Sequence, residues 1–226
     1  MHRLTSIINK RLNKLNIILS RPLVTPDANV QVYFDVYKKL DYTRTMTFNL
    51  IANEINSNGL AGNVAELGVF QGQFAQLINT AFPQKKIFLF DTFEGFSKKD
   101  FTVKDELDVM PSVVDEFQKT SADKVLAIMP HKEKCIIKQG YFPDTAAGCE
   151  DEEFCFVSID ADLFKPIYDG LVFFYDRLVK GGYIMIHDYN NSIYKGAKQA
   201  VKKFSTERNI NFVPIADGWG TAIISK

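Results

Sequence analysis

Three features of the chain predict an α/β fold. Seven short apolar runs, at 64–67, 87–90, 135–138, 154–159, 183–186, 211–215 and 221–224, read as strands. Helix-type stretches separate the first five and another precedes the sixth, which is the alternation of a mostly parallel sheet covered on both faces. The last two runs are joined only by Ala216-Asp217-Gly218-Trp219-Gly220. That link is too short for a crossover and suits an antiparallel hairpin. The expected architecture is a seven-stranded, Rossmann-like sheet, mostly parallel, with an antiparallel C-terminal hairpin and helices on both faces.

The elements follow in chain order. Before Asp27 the chain has no acid, but it has Arg3, Lys10, Arg11, Lys14 and Arg21. Leu4, Ile7, Ile8, Leu12, Leu15, Ile18 and Leu19 recur there at helical spacing, so the segment reads as a basic amphipathic helix. Two roles fit it: peripheral contact with an anionic membrane surface, or an arm packed on a partner subunit of a homo-oligomer, the simpler of the two. Lys10, Arg11 and Lys14 interrupt any apolar core, so it is a poor secretory signal. Pro22 and Pro26 end it. Residues 32–58 are helix-prone, with apolar positions at Phe34, Tyr37, Leu40, Met46, Leu50, Ile51 and Ile55, and Asn58-Gly59 stops them. The later helices are expected at 73–81, 111–128, a short one near 144–148, 166–178 and 195–207. Residues 1–58 thus form a helical arm and cap, and 59–226 the catalytic-type domain.

The bulk properties exclude several classes. With 27 basic and 27 acidic residues the net charge is zero, so nothing global points to nucleic acid. No apolar run approaches the roughly 20 residues needed to span a bilayer. Cys135, Cys149 and Cys155 form no C-x-x-C pair, and the expectation is reduced thiols in a cytoplasmic protein, with membrane association only through the basic helix.

The segment Val64-Ala65-Glu66-Leu67-Gly68-Val69-Phe70-Gln71-Gly72 is the most informative. A strand ends in a carboxylate, the backbone turns at glycines, and a second strand closes on Asp91, 25 residues after Glu66. This is the first βαβ unit of a nucleotide-type pocket. Gly68 and Gly72 would let the backbone approach a ligand. Asp91 is placed to take both ribose hydroxyls of an adenosine. The glycine spacing departs from G-x-G-x-x-G, and Glu66 would repel a pyrophosphate. A carboxylate in that turn suits a ligand with a positive end, which S-adenosylmethionine has and NAD lacks.

In open α/β sheets ligands sit beyond the carboxyl ends of the strands. The second strand is followed by Asp91, Thr92 and Phe93, and the third by Gln139-Gly140-Tyr141-Phe142. The fourth is followed by Asp160-Ala161-Asp162 and the fifth by His187-Asp188-Tyr189-Asn190. Acids crowded at one edge repel unless a cation sits among them, and oxygen ligands favour Mg²⁺, Mn²⁺ or Ca²⁺ over zinc. The plainer readings are that Asp162 caps the helix at 166 and Asp188 caps a turn. His187 is a ligand candidate or simply a hydrogen-bonded orienter. The acids Asp100, Asp105, Glu106 and Asp108 read as a solvated loop. The aromatic rim of Phe93, Phe96, Phe101, Tyr141, Phe142 and Phe164 could stack on adenine or a sugar face, with the larger share assigned to the core.

These blocks together resemble the macrocin-type sugar O-methyltransferases (the TylF/MycF group), class I enzymes that use S-adenosylmethionine. The resemblance runs from about Asp41 to Lys226. It is carried by Ala65-Glu66-Leu67-Gly68-Val69, Phe90-Asp91-Thr92-Phe93-Glu94-Gly95-Phe96, Gly140-Tyr141-Phe142-Pro143-Asp144-Thr145, Ser158-Ile159-Asp160-Ala161-Asp162-Leu163-Phe164 and His187-Asp188-Tyr189-Asn190. Two positions depart from the pattern: Gln73 replaces the usual glycine after Gly72, and Gln71 a frequent arginine. The resemblance implies a Mg²⁺-dependent enzyme acting on a sugar hydroxyl of a small molecule or glycan. It implies metal ligation by Asp160 and Asp188 with a third acid from the same edge, and a base role for Asp162; His187 is a further candidate ligand there. The cofactor set is Glu66, Gly68, Gly72, Asp91, Thr92, Gly140, Tyr141, Phe142 and Asp160, with Gly140 to Phe142 near the adenine. Two alternatives remain: a catechol-type acceptor, and a non-catalytic module that binds S-adenosylmethionine.

Overall fold

The computed structural model describes residues 41–226. The basic helix, the prolines that end it and the start of the helix-prone stretch at 32 lie outside these residues. The described elements run α1 (Tyr42–Ser57), β1 (Asn63–Leu67), α2 (Gln73–Ala81), β2 (Ile87–Asp91), α3 (Lys104–Val113), α4 (Ala122–Ile128), β3 (Cys135–Gln139), β4 (Phe154–Ile159), α5 (Phe164–Arg177), β5 (Leu178–Ile186), α6 (Gly196–Arg208), β6 (Val213–Ile215) and β7 (Thr221–Ser225). Short 3₁₀ turns occupy Lys98–Asp100, Lys132–Lys134 and Asp144–Ala146.

The seven strands form one sheet in the order β3-β2-β1-β4-β5-β7-β6. β1, β2, β3, β4 and β5 pair in parallel, and β7 pairs antiparallel with both β5 and β6. The chain moves one way from β1 to β3 and the other way from β4 onward. The crevice between β1 and β4 is therefore the topological switch point, where such sheets bind ligands.

Strand periodicity divides the core. Ile87 and Leu89 face α1, α2 and α4, while Phe88 and Phe90 face α5 and α6. A register shift between Phe154 and Phe156 lets Cys155 and Phe156 both serve the first face before Val157 and Ile159 return to the second. Phe48, Ile51, Ala52 and Ile55 of α1 pack in the same cluster as Val64 and Phe156, so this helix is part of the sheet's own core.

Three expectations need correction. The helix expected over 111–128 is two helices: α3 ends at Val113, Phe117 takes a left-handed φ of 65°, and α4 begins behind Ser121, whose hydroxyl accepts from Lys124 N. The acids before it do not form one solvated loop, although Asp108 is exposed as expected and Asp105 half-buried. Asp100 and Glu106 are buried, Glu106 completely, because 104–113 is itself a helix that turns Glu106 inward. The short helix near 144–148 is a single 3₁₀ turn. All three cysteines are free thiols. Among the described residues no helix is long and apolar enough to cross a membrane.

Candidate active site

The turn after β1 is built by backbone fit. Gly68 has φ +84°, and a Cβ there would overlap the carbonyl of Asp160. Gly68 N donates to Phe90 O at 2.9 Å, and Asp160 N donates to Leu67 O at 2.8 Å. The glycine is thus required by the close approach of the backbone just beyond the parallel strands β1 and β4. Gly72 lies outside the cavity wall described below: a Cβ at this φ of +80° would meet Val125 and Met129 of the α4 region at 3.0–3.1 Å. Its small size serves packing against that helix, while its neighbours Gln71 and Gln73 line the cavity. Asp91 closes the turn. Its Oδ2 accepts from Val69 N at 2.6 Å and Phe70 N at 2.8 Å, and its Oδ1 accepts from Phe93 N at 2.7 Å. A carboxylate has about four acceptor positions, so these three bonds leave Asp91 about one further position at the cavity wall.

A cavity of about 720 Å³ opens at the carboxyl ends of the parallel strands. Glu66, Gly68, Asp91, Thr92, Gly140, Tyr141, Phe142, Asp160, Asp162, His187 and Asp188 all line it. Phe142 forms its floor and is itself core, packed on Phe90 and Phe174. Phe164 is instead stacked on Tyr168 away from the wall.

The acids form one connected group. His187 Nδ1 lies 3.1 Å from Asp160 Oδ1 and 2.9 Å from Asp188 Oδ2. Asp188 Oδ1 accepts from Asn191 Nδ2 at 2.8 Å. Arg44 Nη1 donates to Asp160 Oδ2 at 2.9 Å. Burial works to raise Asp160, but the charges of His187 and Arg44 overcome it and hold the carboxyl below the usual range. Burial disfavours charge on His187, yet Asp160 lifts it to about 9, leaving an imidazolium between two carboxylates at neutral pH. Asp162 is pushed well above the ordinary range by burial and then by the charges of Asp188 and Asp160. Burial likewise raises Glu66, with Arg44 pulling the other way.

Neither capping reading holds. The N-cap of α5 is Leu163, and the first N–H of that helix is taken by Glu106, whose Oε1 accepts from Phe164 N at 2.5 Å. Asn191, not Asp188, caps the following turn through Ile193 N and Tyr194 N. Phe70, Phe93, Asp162 and Asp188 all have φ between 49° and 58°, one after each of β1, β2, β4 and β5. Left-handed non-glycine residues gathered at one edge are strain of the kind that marks ligand sites. The candidate ligand atoms of Asp160, His187 and Asp188 lie within 4.8 Å of one another. Oxygen-preferring divalent cations with ligands roughly 2.0–2.6 Å away span separations of up to about 4–5 Å. The donor set fits such an ion, with the imidazolium holding its electrostatic place.

The family profile of the macrocin O-methyltransferases (TylF) matches residues 36–222. The chain belongs to this family. Solved structures agree on the fold. The O-methyltransferase NovP superimposes with a TM-score of 0.69 at 18% identity, over 82% of this chain and 80% of its own. CalS11, a calicheamicin methyltransferase, gives 0.61 at 16% identity, covering 97% and 91%. The S-adenosylhomocysteine-bound methyltransferase PaMTH1 of Podospora anserina gives 0.51 at 13%, covering 99% and 96%. No curated protein matches the chain. As a TylF-family member it is an S-adenosylmethionine-dependent O-methyltransferase.

The TylF-family cavity also contains residues that sequence reasoning missed. Arg44 comes from α1, and Asp100, Glu116 and Phe117 come from the segment around α3, where they join Phe96 of the expected aromatic rim. Tyr194 donates from its hydroxyl to Glu116 Oε2 at 2.5 Å, and Thr120 donates to the carbonyl of Phe70. Both bonds fasten the α3 segment across the site. Trp219, on the turn between β6 and β7, reaches the mouth of the cavity and is 52% exposed. Asn190 N to Trp219 O at 2.9 Å and Tyr189 N to Gly220 O at 2.8 Å pin that turn to the loop carrying Asp188.

Proposed function

We propose that this chain transfers a methyl group from S-adenosylmethionine to a sugar hydroxyl, on a glycoside, a nucleotide sugar or a surface glycan, with a divalent cation such as Mg²⁺ at the acidic group. One observation carries the reading: a single cavity runs from Glu66, Asp91 and Gly140 at the ends of β1, β2 and β3 to Asp160, Asp162 and Asp188 at the ends of β4 and β5. A cofactor on the first side faces an acceptor on the second. The family supports a sugar acceptor, as does CalS11, which is described as a TDP-rhamnose 3′-O-methyltransferase.

Glu66 takes the ammonium of the methionine portion, and its own burial makes that partner welcome. Asp91 accepts one ribose hydroxyl at the free position on Oδ1. Gly140 and Tyr141 flank the adenine above Phe142. Asp160 and Asp188, with His187 beside them, hold the cation, which when bound supplies several kcal/mol of stabilisation to a developing alkoxide. Asp162 receives the hydroxyl proton as the acceptor oxygen attacks the sulfonium methyl and S-adenosylhomocysteine leaves. A carboxylate raised toward neutrality is a better base than an ordinary aspartate.

The test is calorimetric titration with S-adenosylhomocysteine, followed by labelled methyl transfer to a panel of glycosides, nucleotide sugars and a catechol, with Mg²⁺ or with EDTA. Micromolar binding and Mg²⁺-dependent labelling of a sugar are expected. Labelling of the catechol alone would reject the sugar reading, and full activity in EDTA would reject the metal.

A further inference from the structure

Among the described residues, the cavity wall holds one permanent cation, Arg44. It lies in the first turn of α1, on the face buried against the sheet, and its side chain is only 4% exposed. Besides the bond to Asp160, its Nη2 donates to Ser158 Oγ at 3.5 Å, and the guanidinium stacks over the Phe74 ring at 4.1 Å. Ser158 and Glu66 are register partners on β4 and β1, directly beneath this helix. Two buried atoms of the group have no partner: Arg44 Nε and Glu66 Oε2. Buried donors and acceptors are nearly always satisfied. An orphaned donor and an orphaned acceptor on adjoining wall residues point to a ligand that brings both an acceptor and a donor.

The methionine end of S-adenosylmethionine is such a ligand. Its ammonium and carboxylate sit on one carbon, so their partners must be neighbours. Glu66 suits the ammonium. The carboxylate has little choice, since Glu66, Asp91, Asp160, Asp162 and Asp188 would repel it elsewhere in the wall. Phe74 belongs to the first turn of α2, whose N-terminus favours an anion as well. A guanidinium has spare N–H donors after serving Asp160 and Ser158. We propose that Arg44 binds the carboxylate of the cofactor's methionine portion while it steadies Asp160. The assignment rests on the S-adenosylmethionine reading above and adds a residue from outside the glycine turn.

The experiment compares two ligands on the full chain in EDTA. One is S-adenosylhomocysteine. The other is 5′-(3-aminopropylthio)-5′-deoxyadenosine, the same molecule without the carboxylate. The wild type should bind the first roughly tenfold or more tightly, the order of one charge-assisted hydrogen-bonded pair. Arg44→Gln should lose this preference, weakening S-adenosylhomocysteine to the level of the amine while leaving the amine nearly unchanged. Arg44→Lys should recover part of it. Equal binding of both ligands by the wild type would overturn the proposal without any variant. So would an Arg44→Gln protein that binds both ligands equally more weakly, since that would mark a purely structural role through Asp160. Should Arg44→Gln fail to fold, the wild-type preference and Arg44→Lys still decide. Failure of the wild type to bind S-adenosylhomocysteine at all would overturn the cofactor reading itself.

Discussion

At Gly68 a single methyl group would do the most damage. The φ of +84° already disfavours any side chain, and the Cβ would occupy the Asp160 carbonyl. The backbone has little room to yield, because Gly68 and Asp160 directly follow β1 and β4 and are tied to the sheet by Gly68 N to Phe90 O and Asp160 N to Leu67 O. Gly68→Ala should therefore cost on the order of 3 kcal/mol or more, read as a large fall in Tm; a Tm within a few degrees of the wild type would show that this approach has slack. Asp162→Asn is the opposite case. It preserves shape, so binding of S-adenosylhomocysteine should persist while turnover falls by roughly 10²–10⁴, and near-normal turnover would remove the base assignment. The acids were legible in the sequence because each follows an apolar strand, and strand ends share one edge. Arg44 was not. It stands on the same helical stripe as Phe48, Ile51 and Ile55, where a charged residue reads as an interruption of the core. What resolves it is the pairing with Asp160, which is 116 residues away. Of the apolar positions expected in this helix, Met46, Ile51 and Ile55 are buried, while Leu50 is 52% exposed.

At the scale of elements, α3 owes its place to one buried carboxylate. Glu106 accepts the first N–H of α5 and sits where a side chain at Gly196, the first residue of α6, would have to go. Three helices meet on it. Glu106→Ala should cost about 1–3 kcal/mol by orphaning Phe164 N, and should loosen the α3 segment that supplies Glu116 to the cavity; unchanged denaturant midpoints would contradict this. Burial pushes Glu106 from 4.5 up to about 7 and Asp100 from 3.8 up to about 6. Both folded values exceed the unfolded ones, so the folded state binds more protons between them. Stability should fall as pH rises through that window. Urea midpoints at acid and alkaline pH check the slope, and Glu106→Gln should flatten its upper part, between about pH 4.5 and 7. None of this was legible. Lys104-Asp105-Glu106-Leu107-Asp108 is charged enough to read as solvated, and the partners of Glu106 lie 58 residues on and farther. Pro111 suggested a helix start, yet it sits inside α3.

For the molecule as a whole, the sheet order divides labour. On the proposed reading, the ends of β1 to β3 take the cofactor, while the ends of β4 and β5 hold the acids Asp160, Asp162 and Asp188, with Arg44 beside Asp160. Removing divalent metal should therefore abolish methyl transfer while leaving S-adenosylhomocysteine binding within a few-fold of its normal value, measured by calorimetry in EDTA; equal loss of both would mean that the halves are not separable. β1, β2 and β4 were legible because buried parallel strands are continuous apolar runs, and the β6–β7 hairpin because a five-residue link cannot make a crossover. The insertion of β7 between β5 and β6 had no local signal, since it depends on which edge the last strand finds open. That insertion carries the last turn back over the cavity and sets Trp219 at its mouth. Trp219 is the chain's only tryptophan, so every photon of indole emission comes from the threshold of the site. Ligand entry can thus be followed by unlabelled fluorescence, with Trp219→Phe as the dark control. The enzyme carries its own optical gauge of occupancy, and binding rates for cofactor and acceptor become separable in a stopped-flow trace.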